Sequence, residues 1–184
     1  MLSYRIDEDL ELALPRIKDA EALYDAIAGS RESLRRYLPW VDHVKQVEDE
    51  IASIQHDRQR FAADEGLDLL IWYQGQLAGK ISFNGFDHLN EEADVGYWLA
   101  EAFRGQGLMT RSLEKMFEIG FEEYDLHRIV VRCATDNVGS NGVAKRTGMC
   151  LEGTQRKRLK LADGYHDQNE YALLRDEWKA RQSN

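Results

Sequence analysis

The part of the sequence that decides the fold runs from Asp94 to Tyr124 and reads DVGYWLAEAFRGQGLMTRSLEKMFEIGFEEY. The segment Ala93–Leu99 is rich in Val, Tyr and Trp, a composition that favours a strand. From Met109 to the end of the stretch, apolar residues recur every three or four positions, which predicts a helix with one buried face. Between these two elements, Gly105 and Gly107 permit a tight turn at the start of the helix. We therefore predict a strand, a glycine-containing turn and a helix, in that order.

The turn, Arg104–Thr110, is a candidate anion site. The first N–H groups of a helix have no partner within the helix, and the helix dipole is positive at that end. Together they favour an anion such as a pyrophosphate. From the residues alone, an interpretation in which the two glycines only turn the chain stands equally well. The turn is neither a Walker A loop nor a GxGxxG motif, which argues against a nucleotide-binding α/β domain of those kinds.

The remaining segments predict further strands and helices on both sides of this unit. Gly29 is expected to end one helix and Pro39 another, since glycine favours helix ends and the residue before proline avoids helical angles. The predicted strands are Leu10–Leu14, Leu69–Tyr73, Leu77–Phe86, Arg128–Ala134, Met149–Lys160 and Gln168–Leu174, and the predicted helices are Asp19–Ala28, Arg31–Leu38, Val47–Ala63 and Val138–Thr147. This order predicts an α/β (α+β) protein with a mixed sheet and helices on its faces.

Composition narrows the class of protein. The 184 residues suit one domain, residues 1–184, with a core of about 5–178. A net charge of −9 does not favour sequence-independent binding to nucleic acid. The longest apolar run, Leu69–Tyr73, is too short to cross a bilayer, and Cys133 and Cys150 lack the spacing of a zinc site. We expect a cytoplasmic protein without a membrane segment, a bound metal or direct contact with nucleic acid.

Several motifs occur in the order seen in a known family. The segments Val95–Leu99 and Arg104–Met109 resemble the acetyl-CoA motif of the GNAT N-acetyltransferases, Arg/Gln-x-x-Gly-x-Gly/Ala. Further matches to the RimJ/RimL-like group, the ribosomal-protein alanine or serine acetyltransferases, are Tyr37–Trp40, Asn137–Gly148, Leu151–Gly153 and Gly164–Asp167. The resemblance extends from about Leu10 to Trp178. Met109 stands where the wider family has Gly or Ala.

The resemblance implies a GNAT-like fold and acetyl-CoA as co-substrate, with no metal. Such a fold has a mixed, mostly antiparallel central sheet of about seven strands, flanked by about four helices. Two neighbouring strands, here Ala93–Leu99 and Arg128–Ala134, splay apart and hold the cofactor arm. The residues that the resemblance assigns to the cofactor are Tyr97, Trp98, Leu99, Arg104, Gly105, Gln106, Gly107, Leu108, Met109, Thr110, Asn137 and Ser140.

The resemblance also implies direct attack of an amine on the thioester. A backbone N–H near Trp98 or Leu99 would stabilise the oxyanion, and Ser140 would protonate the leaving thiolate. The general base would be Asp94 or a bound water. Some family members have an acidic residue in the strand before the Tyr-His-Asp motif, whereas Arg156–Lys160 contains none. Without the resemblance, Asp94 is equally well a solvated carboxylate, and Asn137 and Ser140 are helix-capping residues.

The acceptor is less well defined than the cofactor. Tyr37, Trp40, Tyr165 and His166 are candidates to line its pocket. The favoured acceptor is the N-terminal α-amine of a protein, possibly a ribosomal one, because its pKa of about 7.7–8.0 lies well below the value of about 10.4 for lysine. The alternatives are a small amine (a polyamine, an antibiotic or an aminoacyl conjugate) and a non-catalytic acyl-CoA-binding module. The expected assembly is a monomer or a homodimer.

Overall fold

The computed structural model describes residues 2–183, which form one eight-stranded sheet and five α-helices. The strands are β1 Ser3–Arg5, β2 Leu10–Ala13, β3 Leu67–Tyr73, β4 Gln76–Asp87, β5 Glu92–Leu99, β6 Arg128–Ala134, β7 Cys150–Leu161 and β8 Gly164–Leu174. The helices are α1 Ala20–Arg35, α2 Val47–Ala62, α3 Leu108–Glu118, α4 Val138–Arg146 and α5 Arg175–Gln182. The strand order is β1-β2-β3-β4-β5-β6-β8-β7, and only the β5–β6 pair is parallel. The mixed, mostly antiparallel sheet is thus confirmed, with eight strands and five α-helices where the resemblance implies about seven and about four.

Helix α1 differs from the prediction. It continues through Gly29 and includes most of the separate helix that was expected over residues 31–38. The buried residues Leu23, Ile27 and Leu34 lie on one face of the whole helix, so packing against the sheet outweighs the weak helix propensity of one glycine. Pro39 does begin a new element, a short 3₁₀ turn over Pro39–His43.

The two elements missing from the prediction carry little hydrophobic signal. Strand β1 has three residues, none of them buried. Helix α5 is strongly polar, and Trp178 is its one buried residue. The predicted helix over residues 109–124 is α3 followed by a π-helical turn, Ile119–Glu123.

The sheet separates two hydrophobic cores. On one face, Leu69, Ile81 and Val131 belong to a core with buried residues of α3 and α4. On the other face, Leu70 and Trp98 belong to a core with residues of α1 and α2. Along β5, Val95 belongs to the first core and Trp98 to the second, because successive residues of a strand face opposite sides of the sheet.

Strands β5 and β6 separate part-way along their length. Their parallel pairing extends from Glu92–Arg128 to Val95–Val131 and no further. Beyond that point, β5 still pairs with β4 as far as Leu99, and β6 pairs with β8 as far as Ala134. The predicted splayed pair is therefore present, and it leaves one backbone edge of residues 96–99 without a strand partner.

Candidate active site

A cavity of about 750 Å³ opens where β5 and β6 diverge. Its walls come from α1 and the turn after it, from the end of β5, from the glycine-containing turn and from α4. Every residue predicted to contact the cofactor lines this cavity, except Gln106. The side-chain amide of Gln106 instead donates to the carbonyl oxygen of Ala102, at 3.3 Å.

The glycine-containing turn has the geometry expected of an anion site. Gly105 and Gly107 have φ angles of 75° and 73°, and no atom lies within 4 Å of where a Cβ would stand on either. The first backbone bond of α3 is donated by Arg111 to Gly107, at 3.1 Å, so the N–H groups of residues 108–110 have no acceptor within the helix. The turn and the helix start together form an open cradle of donors that fits a pyrophosphate.

Two arginines add positive charge beside this cradle. Arg104 donates to the carbonyl oxygen of Leu99 at 3.2 and 3.3 Å, and Arg146 donates to Thr110 Oγ1 at 3.3 Å. Both arginines line the cavity. Arg146 lies within the stretch 137–148 that resembles the family, but it was not predicted to bind the cofactor. Its positive charge in the predicted helix that also contains Ser140 was the available signal.

Ser140 lies at the junction of α4 and β5. Its Oγ is 3.2 Å from the hydroxyl oxygen of Tyr97, and its backbone N–H donates to Asn137 Oδ1 at 3.2 Å. Asn137 therefore caps α4, as the capping interpretation proposed, and it also lines the cavity. Burial raises the pKa of Tyr97 far above its usual value, so its hydroxyl stays protonated at neutral pH.

A second cavity, of about 380 Å³, lies on the side of the sheet covered by α1 and α2. It shares Leu38, Tyr97 and Trp98 with the first cavity. Its polar lining comes from α2, β3 and β4 and consists of Glu50, Ser53, Asp68, Lys80, Ser82 and Asn84. The two cavities therefore meet at the end of β5.

Lys80 and Asp68, which line the second cavity, belong to a network of buried ion pairs. Lys80 Nζ lies 2.6 Å from Asp57 and 3.2 Å from Asp68, and Asp68 also contacts Arg60 at 3.0 Å and Ser82 at 2.7 Å. Burial alone would lower the pKa of Lys80, but the two carboxylates outweigh it and raise that pKa. No sequence motif indicates this network, because its members are separated along the chain.

The predicted acceptor residues fall in different places. Tyr37 lines the first cavity and donates to the carbonyl oxygen of Asp136 at 3.0 Å, while Trp40 lines the second, with its ring centroid 6.4 Å from that of Trp98. Tyr165 is 59% exposed and lines neither cavity.

His166 also lies outside both cavity walls. Its Nε2 is 2.6 Å from Asp163, and its Nδ1 is 3.5 Å from Asp136, the residue that Tyr37 contacts. The hydrogen bond to Asp163 raises the pKa of His166, with burial opposing and the nearby carboxylates adding to the effect. His166 and Tyr37 are thus brought together at Asp136, beside the first cavity.

Asp94 lies one hydrogen bond behind the wall of the second cavity, because its partner Asn84 lines that cavity. It is in the paired part of β5, opposite Val130, and its carboxylate accepts a 2.8 Å hydrogen bond from Asn84. It belongs to the lining of neither cavity. Its role as general base stays a prediction to which the geometry adds no support.

Comparison with known proteins agrees with this architecture. The family model described as "Acetyltransferase (GNAT) domain" matches residues 9–150. The ribosomal-protein-serine acetyltransferase of Escherichia coli (strain K12) is 33% identical over 172 residues, which cover 94% of this chain and 96% of that protein.

Two solved structures show the same fold. A structure of RimL, described as a ribosomal L7/L12 alpha-N-protein acetyltransferase in complex with coenzyme A, superposes with a TM-score of 0.92 at 31% identity, covering 96% of this chain and 99% of that one. The microcin C7 self-immunity acetyltransferase MccE, in complex with acetyl-CoA and AMP, superposes with a TM-score of 0.88 at 31% identity, covering 92% and 94%.

The splayed strands, the donor cradle and these similarities together define an acyltransferase that uses acetyl-CoA. The chain belongs to the GNAT acetyltransferase family and is a RimJ/RimL-like N-acetyltransferase dependent on acetyl-CoA. Within residues 2–183, no helix is long and apolar enough to span a membrane, and no group of three or more potential metal-ligating side chains occurs.

Proposed function

We propose that this enzyme acetylates the N-terminal α-amine of a protein, and that its acceptor in the cytoplasm is a ribosomal protein. The observation that carries the proposal is the meeting of two cavities at Tyr97 and Trp98, beside the unpaired edge of β5. A thioester held in the first cavity would face an amine that enters through the second. Full-length similarity to acetyltransferases of ribosomal proteins supports this class of acceptor.

The residues of the first cavity have distinct proposed roles. The N–H groups at the start of α3, with Arg104 and Arg146 beside them, bind the pyrophosphate. The edge of residues 96–99 that has no strand partner pairs with the amide groups of the pantetheine arm, and an N–H at Trp98 or Leu99 stabilises the oxyanion. A comparable donor in other enzymes contributes about 10²–10³ in rate.

Ser140 has the proposed role of the proton donor. The amine nitrogen bonds to the acetyl carbonyl carbon, the carbon–sulfur bond breaks, and the sulfur leaves as a thiolate. Ser140 Oγ–H then protonates that thiolate, and the Tyr97 hydroxyl, 3.2 Å away, keeps Ser140 oriented. The amine loses one proton before the attack, which goes to solvent, and one afterwards, which replaces the proton that Ser140 gave to the sulfur.

A panel of acceptors tests the proposal. The purified chain is incubated with acetyl-CoA and, in separate reactions, with three peptides that share one lysine-containing sequence. The first begins with a free serine, the second with a free alanine, and the third is blocked at its N-terminus. We expect release of free CoA with the first two peptides and none with the blocked one. Turnover of the blocked peptide at the same rate would overturn the proposal.

The second candidate is acetylation of a small amine. It is favoured by the similarity to MccE, whose structure contains acetyl-CoA and AMP, and by the size of the second cavity, which lies within the usual range for small-molecule sites. A polyamine and an aminoacyl nucleotide analogue therefore belong in the panel. Turnover with these alone would select this second function.

The oligomeric state, a monomer or homodimer, is measured by light scattering in the same buffer.

A further inference from the structure

Glu50 is a buried acidic residue without a partner. It lies in the first turn of α2, is only 3% exposed, and lines the second cavity. Among residues 2–183, its carboxylate has neither a hydrogen bond nor an ion pair, and the groups that influence it do so only at a distance. A buried carboxylate without a partner is energetically unfavourable, so a ligand that supplies one is expected here.

The charges around this cavity define the kind of ligand. Asp57 and Asp68 are paired with Lys80, and Asp68 is also paired with Arg60. With Glu50 ionised, three carboxylates face two cations, which leaves one negative charge uncompensated. A ligand with one positive charge would balance the cluster, whereas an anionic ligand would be repelled.

Trp98, which lines both cavities where they meet, supplies a second unpartnered group. Its indole Nε1 is buried and has no hydrogen-bond acceptor in residues 2–183. Because this group can only donate, the matching ligand carries an acceptor oxygen as well as a cation. The first residue of a peptide has both, an α-ammonium group and its own carbonyl oxygen.

We propose that the second cavity binds the acceptor amine, and that Glu50 receives its ammonium group and takes the first proton from it. This inference rests on the proposed function and names the base that the sequence leaves open. The proton passes from the ammonium nitrogen to a Glu50 carboxylate oxygen, which frees the lone pair for attack on the thioester carbon. The second proton replaces the one that Ser140 donates to the departing sulfur, and Glu50 returns its proton to solvent.

The surroundings of Glu50 suit this task. Burial raises the pKa of its carboxyl; Lys80 opposes this effect, while Asp57 and Asp49 add to it. Asp49 itself accepts the backbone N–H groups of Lys45 and Gln46, at 2.8 and 3.1 Å. A carboxylate with a raised pKa is a better match for an α-amine than an ordinary one, so proton transfer between them is easier.

The test compares Glu50→Gln with Glu48→Gln, a control on an exposed glutamate of the same helix. With the N-terminal serine peptide at pH 7, we expect kcat/KM of Glu50→Gln to fall by about 10²–10⁴-fold, the usual contribution of a general base. The KM for acetyl-CoA should stay within about twofold, since Glu50 does not line the first cavity. The loss should shrink towards pH 9, where solvent deprotonates the amine, and Glu48→Gln should match the wild type.

Thermal unfolding separates this role from a structural one. Because Glu50→Gln removes an uncompensated buried charge, its melting temperature at pH 7 should equal or exceed that of the wild type. A wild-type kcat/KM and pH profile in Glu50→Gln would overturn the inference. So would a joint loss of melting temperature and acetyl-CoA affinity.

Binding of the amine, measured by calorimetry, tests the role of Glu50 separately from the identity of the acceptor. If only a small amine reacts, the proposed acceptor is wrong, and the same variants are compared with that amine. If no amine reacts, binding of the serine peptide and of a diamine is measured in the presence of CoA. We expect Glu50→Gln to weaken binding by at least about tenfold. An absence of amine binding to the wild type would overturn the inference.

Discussion

At the scale of single residues, Ser140 and Tyr97 link α4 to the splayed strand. Their oxygens lie 3.2 Å apart at the wall of the first cavity. We predict that Ser140→Ala lowers kcat by about tenfold, less than the usual range for acid catalysis, because a thiolate whose thiol has a pKa of about 8.5 leaves with little help. The KM for acetyl-CoA should change little.

Steady-state kinetics of Ser140→Ala, Tyr97→Phe and the double variant check this prediction. If Tyr97 acts by orienting Ser140, the double variant should be no slower than Ser140→Ala. An unchanged kcat in Ser140→Ala would show that solvent protonates the thiolate.

Gly107 tests the donor cradle directly. Its φ angle of 73° is unfavourable for any residue with a Cβ, although the space around it is open. We predict that Gly107→Ala destabilises the fold by about 1–2 kcal/mol, the cost of a left-handed residue. The KM for acetyl-CoA should rise severalfold, since the N–H groups at the start of α3 would shift. Isothermal titration with CoA and urea unfolding measure the two effects, and unaltered CoA affinity would remove this turn from the site.

The sequence predicted much of the first cavity and little of the second. The motif residues from Tyr97 to Thr110 are close along the chain, so their spacing carries the signal. Glu50 and Lys80 lie on α2 and β4, and both line the second cavity because α2 packs against β3, the neighbour of β4 in the sheet. Glu50 is buried and lines the cavity, whereas Glu48, two residues earlier, is exposed. No local sequence pattern distinguishes the two glutamates.

At the scale of elements, helix α1 shows how packing can outweigh a local signal. Gly29 lies inside the helix, and nothing stands within 4 Å of its missing Cβ. We predict that Gly29→Ala raises the free energy of unfolding by about 0.5–1 kcal/mol, because alanine has the higher helix propensity and restricts the unfolded chain. Urea unfolding measures it, with kcat as a control that should not move. A destabilised Gly29→Ala would contradict the continuous helix.

The β5–β6 pair could be predicted as two strands, but its divergence could not be derived from strand propensity. Beyond Val95, β5 continues with strand-forming Tyr97 and Trp98, and beyond Val131, β6 continues to Ala134, so both segments remain strands after they separate. Strand propensity does not indicate which neighbour a strand pairs with. The resemblance to the family supplied the expectation of a splay. Strand β1 and helix α5 escaped prediction for the opposite reason, since neither has a hydrophobic pattern of its own.

At the scale of the whole molecule, the buried ion pairs join α2 to the sheet. We predict that Lys80→Met lowers the free energy of unfolding at pH 7.5 by about 3–5 kcal/mol, because Asp57 would be left buried without its cation. Lys115→Met, which removes a partly exposed pair with Glu118, should cost less than about 1 kcal/mol.

The pKa of Asp57 determines how the stability loss of Lys80→Met changes with pH. Burial, only partly offset by Lys80, raises the pKa of Asp57 in the folded chain. Without Lys80, that pKa rises further. A carboxyl whose pKa is raised on folding destabilises the fold as pH rises through that pKa. The Lys80→Met deficit should therefore shrink between pH 7.5 and pH 5.5 in urea unfolding, and a deficit that grows on acidification would contradict the network.

The most direct test of the central claim is to locate the transferred acetyl group on a peptide that has both an N-terminal serine and an internal lysine. The enzyme acts on it with acetyl-CoA, and fragmentation by mass spectrometry assigns the acetyl group to one nitrogen. We predict acetyl on the α-nitrogen alone, with the rate reduced in both Ser140→Ala and Glu50→Gln. Acetyl on the lysine, or equal rates in wild type and both variants, would contradict it.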